Sequence, residues 1–328
     1  MIRVIQVGLG GMGNAWLRVV QASDEVIYAG FVEVDPEIAQ RQAATYALDP
    51  GHIFPTLEEA LSSVEADGVI VVTPPRFHRD ISIAALEAGV AVLSEKPLAD
   101  TMEAARDVVR VSTDTGVLHM VAQNYRYTRV ARTVRQALLG RRLGAVSNVA
   151  IEFFRGPHFG GFREQMPYPL VVDMAIHHFD LLRFFLGSDP STVYGKSWNP
   201  PWSWFAGDAS ASLVLSFARD LHVAYNGSWC SLGRETSWNA HWRFDCERGT
   251  LVVRDDVITV EQGGQEPAVV PLMPMPRVGQ AYLLHEFHDA VTTGMQPATT
   301  CQDNVKSLQM VFDSIRSFET GEPVTFGG

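Results

Sequence analysis

The segment Gly8-Leu9-Gly10-Gly11-Met12-Gly13 joins a β-rich run, Ile2–Val7, to a helical run that begins at Asn14, and few folds accept that junction. In a strand–turn–helix unit with this spacing, the first glycine makes the tight turn and the second lets the backbone approach a pyrophosphate. The last glycine lets helix and strand pack closely. The anion then sits at the helix N-terminus, where backbone N–H groups and the helix dipole favour negative charge. Glu33 stands 20 positions beyond Gly13, at the end of the next β-rich run. A carboxylate there accepts hydrogen bonds from adenosine ribose hydroxyls. Gly8, Gly10, Gly11, Met12, Gly13 and Glu33 are therefore the expected cradle of a dinucleotide. Glu33 is followed by Val34 rather than arginine, so no sequence neighbour neutralises a 2′-phosphate, which points to NAD(H). Arg41 on the following helix keeps NADP(H) open.

The rest of the first 120 residues keeps the same rhythm. Strand candidates at Ile2–Val7, Val26–Val32, Val69–Thr73, Ala91–Leu93 and Leu118–Ala122 alternate with helix candidates at Asn14–Gln21, Glu37–Ala47, Thr56–Ser62, Asp80–Ala88 and Thr101–Thr115. Thr56 with Glu59 and Asp100 with Glu103 fit capping boxes. Such alternation predicts right-handed βαβ units and a parallel sheet, an α/β domain over residues 1–123. After Arg126 the pattern changes. Helical runs at Arg129–Leu139 and Asp173–Leu186 flank a strand at Val146–Phe154, and several strands follow in succession from Thr192 to Val260. Ser210, Ser212 and Ser216 interleave with Leu213, Leu215 and Phe217, as in a sheet packed on one face only. Residues 124–328 thus read as an α+β domain with an open, mainly antiparallel sheet, closed by a helix over Asn304–Thr320.

Composition removes whole classes of function. The 328 residues carry a formal net charge of −11, which opposes attraction to nucleic acid or anionic membranes. No apolar run reaches the roughly 20 residues needed to span a bilayer. Cys230, Cys246 and Cys301 form no paired motif and read as reduced thiols of a cytoplasmic protein. Six of the seven tryptophans fall between Trp198 and Trp242, which suits sheet packing, a subunit interface or stacking on sugar rings. His285-Glu286-Phe287-His288 places its histidines three apart, whereas a zinc helix of the H-E-x-x-H type needs four, so no metal site is expected.

The catalytic candidates lie on both sides of the expected boundary. Glu95-Lys96-Pro97 leaves a strand of the first domain at the edge where open α/β sheets bind ligands. Asp173 and His177 are four apart at the start of a helix and so share a face. The carboxylate there orients an imidazole able to accept an alcohol proton, and His178 is turned away as a structural residue. The loop Phe154–Arg163 supplies Arg155, His158 and Arg163, suited to sugar hydroxyls or a carboxylate.

With these pieces in order the chain resembles the glucose-fructose oxidoreductase, inositol dehydrogenase and rhizopine-catabolism (Gfo/Idh/MocA) family. The carrying residues are Gly8–Gly13, Val69–Thr73 with Pro74, Pro75 and His78, Val92–Ala99 around Glu95-Lys96-Pro97, Asn124-Tyr125-Arg126-Tyr127, and Asp173-x-x-x-His177. The resemblance implies a Rossmann domain followed by an open-faced sheet domain that makes a homodimer or homotetramer. It implies that Lys96, Asp173 and His177 are catalytic and that Thr73, Pro74, His78, Glu95, Lys96 and Asn124 surround the nicotinamide. Tyr125 and Arg126 are then expected on the substrate side, with Lys96, Asp173, His177, Arg155, His158 and Arg163. The Lys96-Pro97 peptide is cis in many members, and His178 here replaces the family's usual carboxylate. The implied reaction is NAD(P)-dependent hydride transfer at a secondary hydroxyl of a sugar, cyclitol or sugar derivative. Two alternatives within the fold are NAD-assisted glycoside cleavage and a non-catalytic sugar sensor.

Overall fold

A computed structural model describes residues 1–140 and 142–327. In chain order its elements begin with β1 (Ile2–Val7), α1 (Gly11–Gln21), β2 (Val26–Val32), α2 (Pro36–Tyr46), β3 (Ile53–Phe54), α3 (Leu57–Ser63), β4 (Gly68–Val71), α4 (His78–Glu87), β5 (Ala91–Ser94), α5 (Met102–Thr115) and β6 (His119–Val121). There follow α6 (Arg129–Leu139), β7 (Val146–Phe154), α7 (Ile176–Leu186), β8 (Thr192–Trp198), β9 (Ser210–Phe217) and β10 (Leu221–Ser228). The chain ends with β11 (His241–Cys246), β12 (Gly249–Arg254), β13 (Val257–Glu261), β14 (Ala268–Val269), α8 (Gly279–Thr293), α9 (Cys301–Thr320) and β15 (Val324–Thr325).

Two compact units emerge, and the first is not a continuous stretch of chain. It comprises Met1–Tyr127 and Arg277–Val305, and the second comprises Thr128–Pro276 and Lys306–Gly328. The expected split at 123/124 left residues 277–305 in the second domain. Their return has a physical cause. Leu283, Leu284 and Phe287 of α8 join Val4, Trp16, Ile70, Leu93 and Met120 in one buried apolar cluster. Such a cluster removes apolar surface from water at roughly 25 cal/mol per Å².

The first unit has a six-stranded parallel sheet in the order β3-β2-β1-β4-β5-β6. Its central strands β4 and β5 are buried on both faces, and they are wholly apolar or small and read as continuous runs. The strand order reverses between β1 and β4, and ligands of such sheets bind outside the carboxyl ends at that point. Thr56 caps α3 by accepting a hydrogen bond from the Glu59 N–H, as expected. The α5 cap is Thr101, which accepts from the Ala104 N–H, one residue beyond the expected Asp100.

The second unit has a nine-stranded sheet in the order β14-β13-β12-β11-β7-β10-β9-β8-β15. Among the described residues only the β7–β10 pair of this sheet is parallel. Along β9 and β10 Leu213, Leu215, Phe217, Val223 and Tyr225 are buried, while Val214, His222, Ala224 and Asn226 are exposed on the other face. The sheet is therefore packed on one side, and Ser210, at its end, is buried rather than outward. Among the described residues no helix is long and apolar enough to cross a membrane.

Candidate active site

The glycine loop leaves the carboxyl end of β1 and enters α1, and each of its glycines has a distinct surrounding. Gly8 has φ +100°, and a Cβ there would lie 2.8 Å from the Val72 carbonyl oxygen. A Cβ on Gly13 would lie 2.6 Å from the Gly8 carbonyl oxygen, so strand and helix could not pack as they do. Beside Gly10 and Gly11 a Cβ would meet nothing within 4 Å. The loop is thus tight on its inner side and open on its outer side, as a pyrophosphate cradle requires. Met12 is exposed on the same turn. Glu33 follows β2 directly, and its Oε2 accepts the Leu9 N–H at 2.8 Å while Oε1 accepts the Asp35 N–H at 3.1 Å. The carboxylate is therefore fixed against the loop, with lone pairs left over for ribose hydroxyls.

The next strands deliver the remaining first-unit candidates to that same carboxyl edge. Thr73 lies just beyond β4, with its Oγ1 buried and lacking a protein partner. Asn14 Oδ1 in α1 and Ser94 Oγ at the end of β5 share that condition, and neither was singled out from sequence. Buried polar atoms are ordinarily satisfied, so orphans beside a cradle of this shape fit a bound dinucleotide. Pro74 is exposed and starts the short turn into α4. His78 is wholly buried, with Nδ1 2.8 Å from the Pro97 carbonyl oxygen and Nε2 2.8 Å from the Thr73 carbonyl oxygen. It ties the β4 loop to the β5 loop. Burial pushes its pKa down, and the two carbonyl contacts oppose that shift without reversing it.

Lys96 sits half-buried after β5, and the Lys96-Pro97 peptide is cis. Glu95, expected at the nicotinamide, turns inward instead. Its Oε1 accepts the buried Trp16 indole N–H at 2.8 Å and its Oε2 accepts the Lys96 N–H at 3.2 Å. It anchors α1 and the lysine backbone. Asn124 and Tyr125 are half-buried on the turn after β6. Arg126, expected at the substrate, is only 5% exposed and donates to the Ala298 carbonyl oxygen at 2.8 Å and to Asp303 at 2.7 Å. The guanidinium is held by the returning segment.

In the second unit Asp173 occupies a π-helical turn, Leu170–Ala175, and α7 begins only at Ile176. The expected α-helix from Asp173 is corrected accordingly. An i→i+5 turn rotates the residues before it about the axis, and such turns occur frequently at functional sites. Asp173 Oδ2 accepts from Arg163 Nε at 3.2 Å, and the guanidinium packs over the Phe159 and Phe162 rings. His177, 5% exposed, lies one residue into α7. His178 is fully buried against Phe153 with Nδ1 3.2 Å from the Tyr225 hydroxyl, and burial pushes its pKa down to about 3. It is a neutral core residue.

Arg163 is thus joined to the Asp173 turn, whereas the other two loop candidates have structural partners. Arg155 pairs with Glu235 at 3.1 Å, donates to the Thr236 carbonyl oxygen at 3.0 Å and covers the Trp238 ring. His158 stacks on Trp204 with ring centroids 3.8 Å apart. The tryptophan cluster divides between buried Trp229 and Trp242, half-buried Trp204, and exposed Trp198, Trp202 and Trp238. Cys246 and Cys301 are free thiols that burial pushes up to about 11, which removes them as nucleophiles.

Comparison with known proteins bears on the family and the fold. An oxidoreductase family with an NAD-binding Rossmann fold, GFO/IDH/MocA, matches residues 2–123, and the GFO/IDH/MocA C-terminal domain matches residues 131–252. The 1,5-anhydro-D-fructose reductase of Ensifer adhaerens is 28% identical over 298 residues, which cover 87% of this chain and 87% of the reductase. The inositol 2-dehydrogenase of Rhizobium meliloti is 28% identical over 201 residues, 58% of this chain and 57% of that enzyme. An oxidoreductase from Agrobacterium radiobacter, solved with NAD+, L-tartaric acid and magnesium, superposes with a TM-score of 0.91 over 99% of this chain and 98% of that one. At 17% identity that last likeness establishes the fold alone. With both halves matched in order, the chain belongs to the GFO/IDH/MocA oxidoreductases and binds NAD through its Rossmann unit.

Proposed function

We propose that this protein is an NAD-dependent dehydrogenase that oxidises a secondary hydroxyl of a sugar, cyclitol or sugar derivative, or reduces the corresponding ketone. The observation that carries this reading lies within the first unit, where Lys96 and the glycine loop share the carboxyl edge of one parallel sheet. An ammonium group beside a dinucleotide cradle serves to hold and polarise an oxygen. Bound NAD supplies the hydride acceptor in its nicotinamide ring. Gly8, Gly10, Gly11, Met12 and Gly13 hold the pyrophosphate, Glu33 the ribose, and Thr73 with Asn124 the nicotinamide end.

In this mechanism Lys96 donates a hydrogen bond to the reacting oxygen and stabilises charge that develops there. His177 accepts the hydroxyl proton, and Asp173, fixed by Arg163, orients His177 or a neighbouring hydroxyl. The sugar or cyclitol class is supported by the relatives that act on 1,5-anhydro-D-fructose and inositol. NAD is favoured over NADP by Glu33, whose carboxylate repels a 2′-phosphate. The test is a panel of polyols and aldoses assayed for NADH production, with titrations of NADH and NADPH beside it. Tighter NADPH binding removes the Glu33 argument. Cofactor that survives desalting without net NADH formation identifies transient oxidation coupled to glycoside cleavage, and tight sugar binding without turnover identifies a sensor.

The outer face of the second unit's sheet is proposed to pair with another copy as a homodimer or homotetramer. Tyr194 and Val214 are cross-strand neighbours on that face, 41% and 49% exposed. Light scattering on the native chain and on Val214→Glu reads the assembly, and an unchanged mass excludes this face.

A further inference from the structure

Glu25, His285 and His288 converge at the amino edge of the first unit's sheet. Glu25 directly precedes β2, and the two histidines lie three apart on α8 and so share one face. The ligand atoms that these three side chains offer all lie within 4.8 Å of one another. His285 Nδ1 is 3.0 Å from Glu25 Oε2, a contact that spans 260 positions of sequence. Arg277 takes the other carboxylate oxygen, Glu25 Oε1, at 3.0 Å and so fixes its direction. Asp289 completes the group. Its Oδ1 is 3.0 Å from His288 Nδ1 and its Oδ2 is 3.6 Å from His285 Nε2. The four side chains are between 18% and 33% exposed, which leaves an ion access while limiting competition from water.

We propose that this cluster binds a divalent transition metal ion, zinc being the reference case, through Glu25 Oε2, His285 Nδ1 and His288 Nε2. Two imidazoles and a carboxylate suit zinc and its neighbours rather than magnesium or calcium. Asp289 then accepts a hydrogen bond from His288 Nδ1, the arrangement that fixes ring orientation and raises ligand basicity at histidine–metal sites, and its other oxygen faces His285 Nε2. A tetrahedral ion with bonds of about 2.0–2.2 Å holds its ligand atoms about 3.3–3.6 Å apart, so the set closes by side-chain shifts of about an ångström. Glu25 and Asp289 carry two negative charges against the Arg277 cation, and an incoming 2+ ion is not left with an excess of positive neighbours.

The site is separate from the dinucleotide cradle. β2 leads from Glu25 to Glu33 across the width of the sheet, seven residues at about 3.3 Å each. Its effect is structural, pinning α8 to the strand against which that helix packs. The competing account is an ion-pair network in which His285 lies between two carboxylates and no metal enters.

Calorimetric titration of ZnCl2 into tag-free, EDTA-treated protein separates the two. The metal site predicts one equivalent of zinc bound at about 10 µM or tighter at pH 7.5, a raised melting temperature and unchanged NADH affinity. His288→Ala and Glu25→Gln should each weaken zinc by about tenfold or more. Cobalt(II) should give the visible absorption of a four-coordinate site, and that absorption should disappear in His285→Ala. Retained NADH binding reports that each variant is folded. Failure of the native protein to bind zinc at about 100 µM, or equal zinc affinity in the native protein and in a His285→Ala/His288→Ala variant, overturns the proposal.

Discussion

The glycine loop of the first unit contains no charged side chain, whereas the Phe154–Arg163 loop of the second carries two arginines and a histidine. The first holds its ligand with backbone, and its shape follows from where a Cβ cannot fit. The second presents side chains whose use depends on partners supplied elsewhere in the unit, and those partners divide them: Asp173 takes Arg163, while Glu235 and Trp204 take Arg155 and His158. Backbone-built recognition tolerates little substitution and shows in a short motif. Side-chain recognition can be redirected by one partner, which is how one scaffold accommodates many substrates.

Experiments can break that contrast. The largest expected effect is on turnover: Lys96→Ala and His177→Ala should each reduce kcat by about a thousandfold while NADH affinity, read by fluorescence, changes less than about twofold. A parallel loss of NADH affinity in His177→Ala would mean that the second unit also holds the cofactor. Gly13→Val should show the reverse split. Its Cβ would fall 2.6 Å from the Gly8 carbonyl oxygen, so NADH binding should weaken by about a hundredfold and the unit lose about 3 kcal/mol in urea titrations.

Acid should act on both units alike. His119 in the first and His178 in the second are both buried rings pushed down to about 3 from an ordinary 6.5. The unfolded chain takes up these protons below pH 6.5 and the native state does not until about pH 3. Their stabilisation is therefore complete above the unfolded pKa and is lost as pH falls through that window. At about pH 5 each histidine should cost about 2 kcal/mol relative to neutral pH, and His178→Phe should flatten its share of the urea-midpoint profile. The smallest effect is expected of Arg163→Ala, about tenfold in kcat, with Arg163→Lys recovering only part because a lysine lacks the planar fork. Full recovery by lysine would reduce the residue to a charge.

These results also mark what a sequence can disclose. The strands of the first unit and the tight glycine turn between β1 and α1 were legible because periodicity and local sterics write them into adjacent residues. The return of Arg277–Val305 was not, since nothing near α8 specifies that Phe287 will pack on a strand more than two hundred positions earlier. Nothing near Glu95 specifies that its carboxylate accepts from the Trp16 indole, and nothing near Arg126 that its guanidinium is held by Asp303. The π-helical turn at Asp173 escaped because one extra residue in a turn leaves no compositional mark that separates it from an ordinary helix. Thr101 and Asp100 are both competent caps, and local propensity does not choose between them.

The discontinuity of the first unit bears on the order in which the protein is made. A ribosome delivers the glycine loop and all six parallel strands well before Leu283, Leu284 and Phe287, which complete their apolar cluster. The nascent cofactor-binding half must therefore persist through the synthesis of the intervening segment with part of one face of its sheet uncovered, a state prone to association with chaperones or with other nascent chains. A truncated chain ending at Tyr127 should for the same reason be recovered mainly insoluble, whereas one in which Arg277–Val305 is joined to it by a short linker should fold and bind NADH.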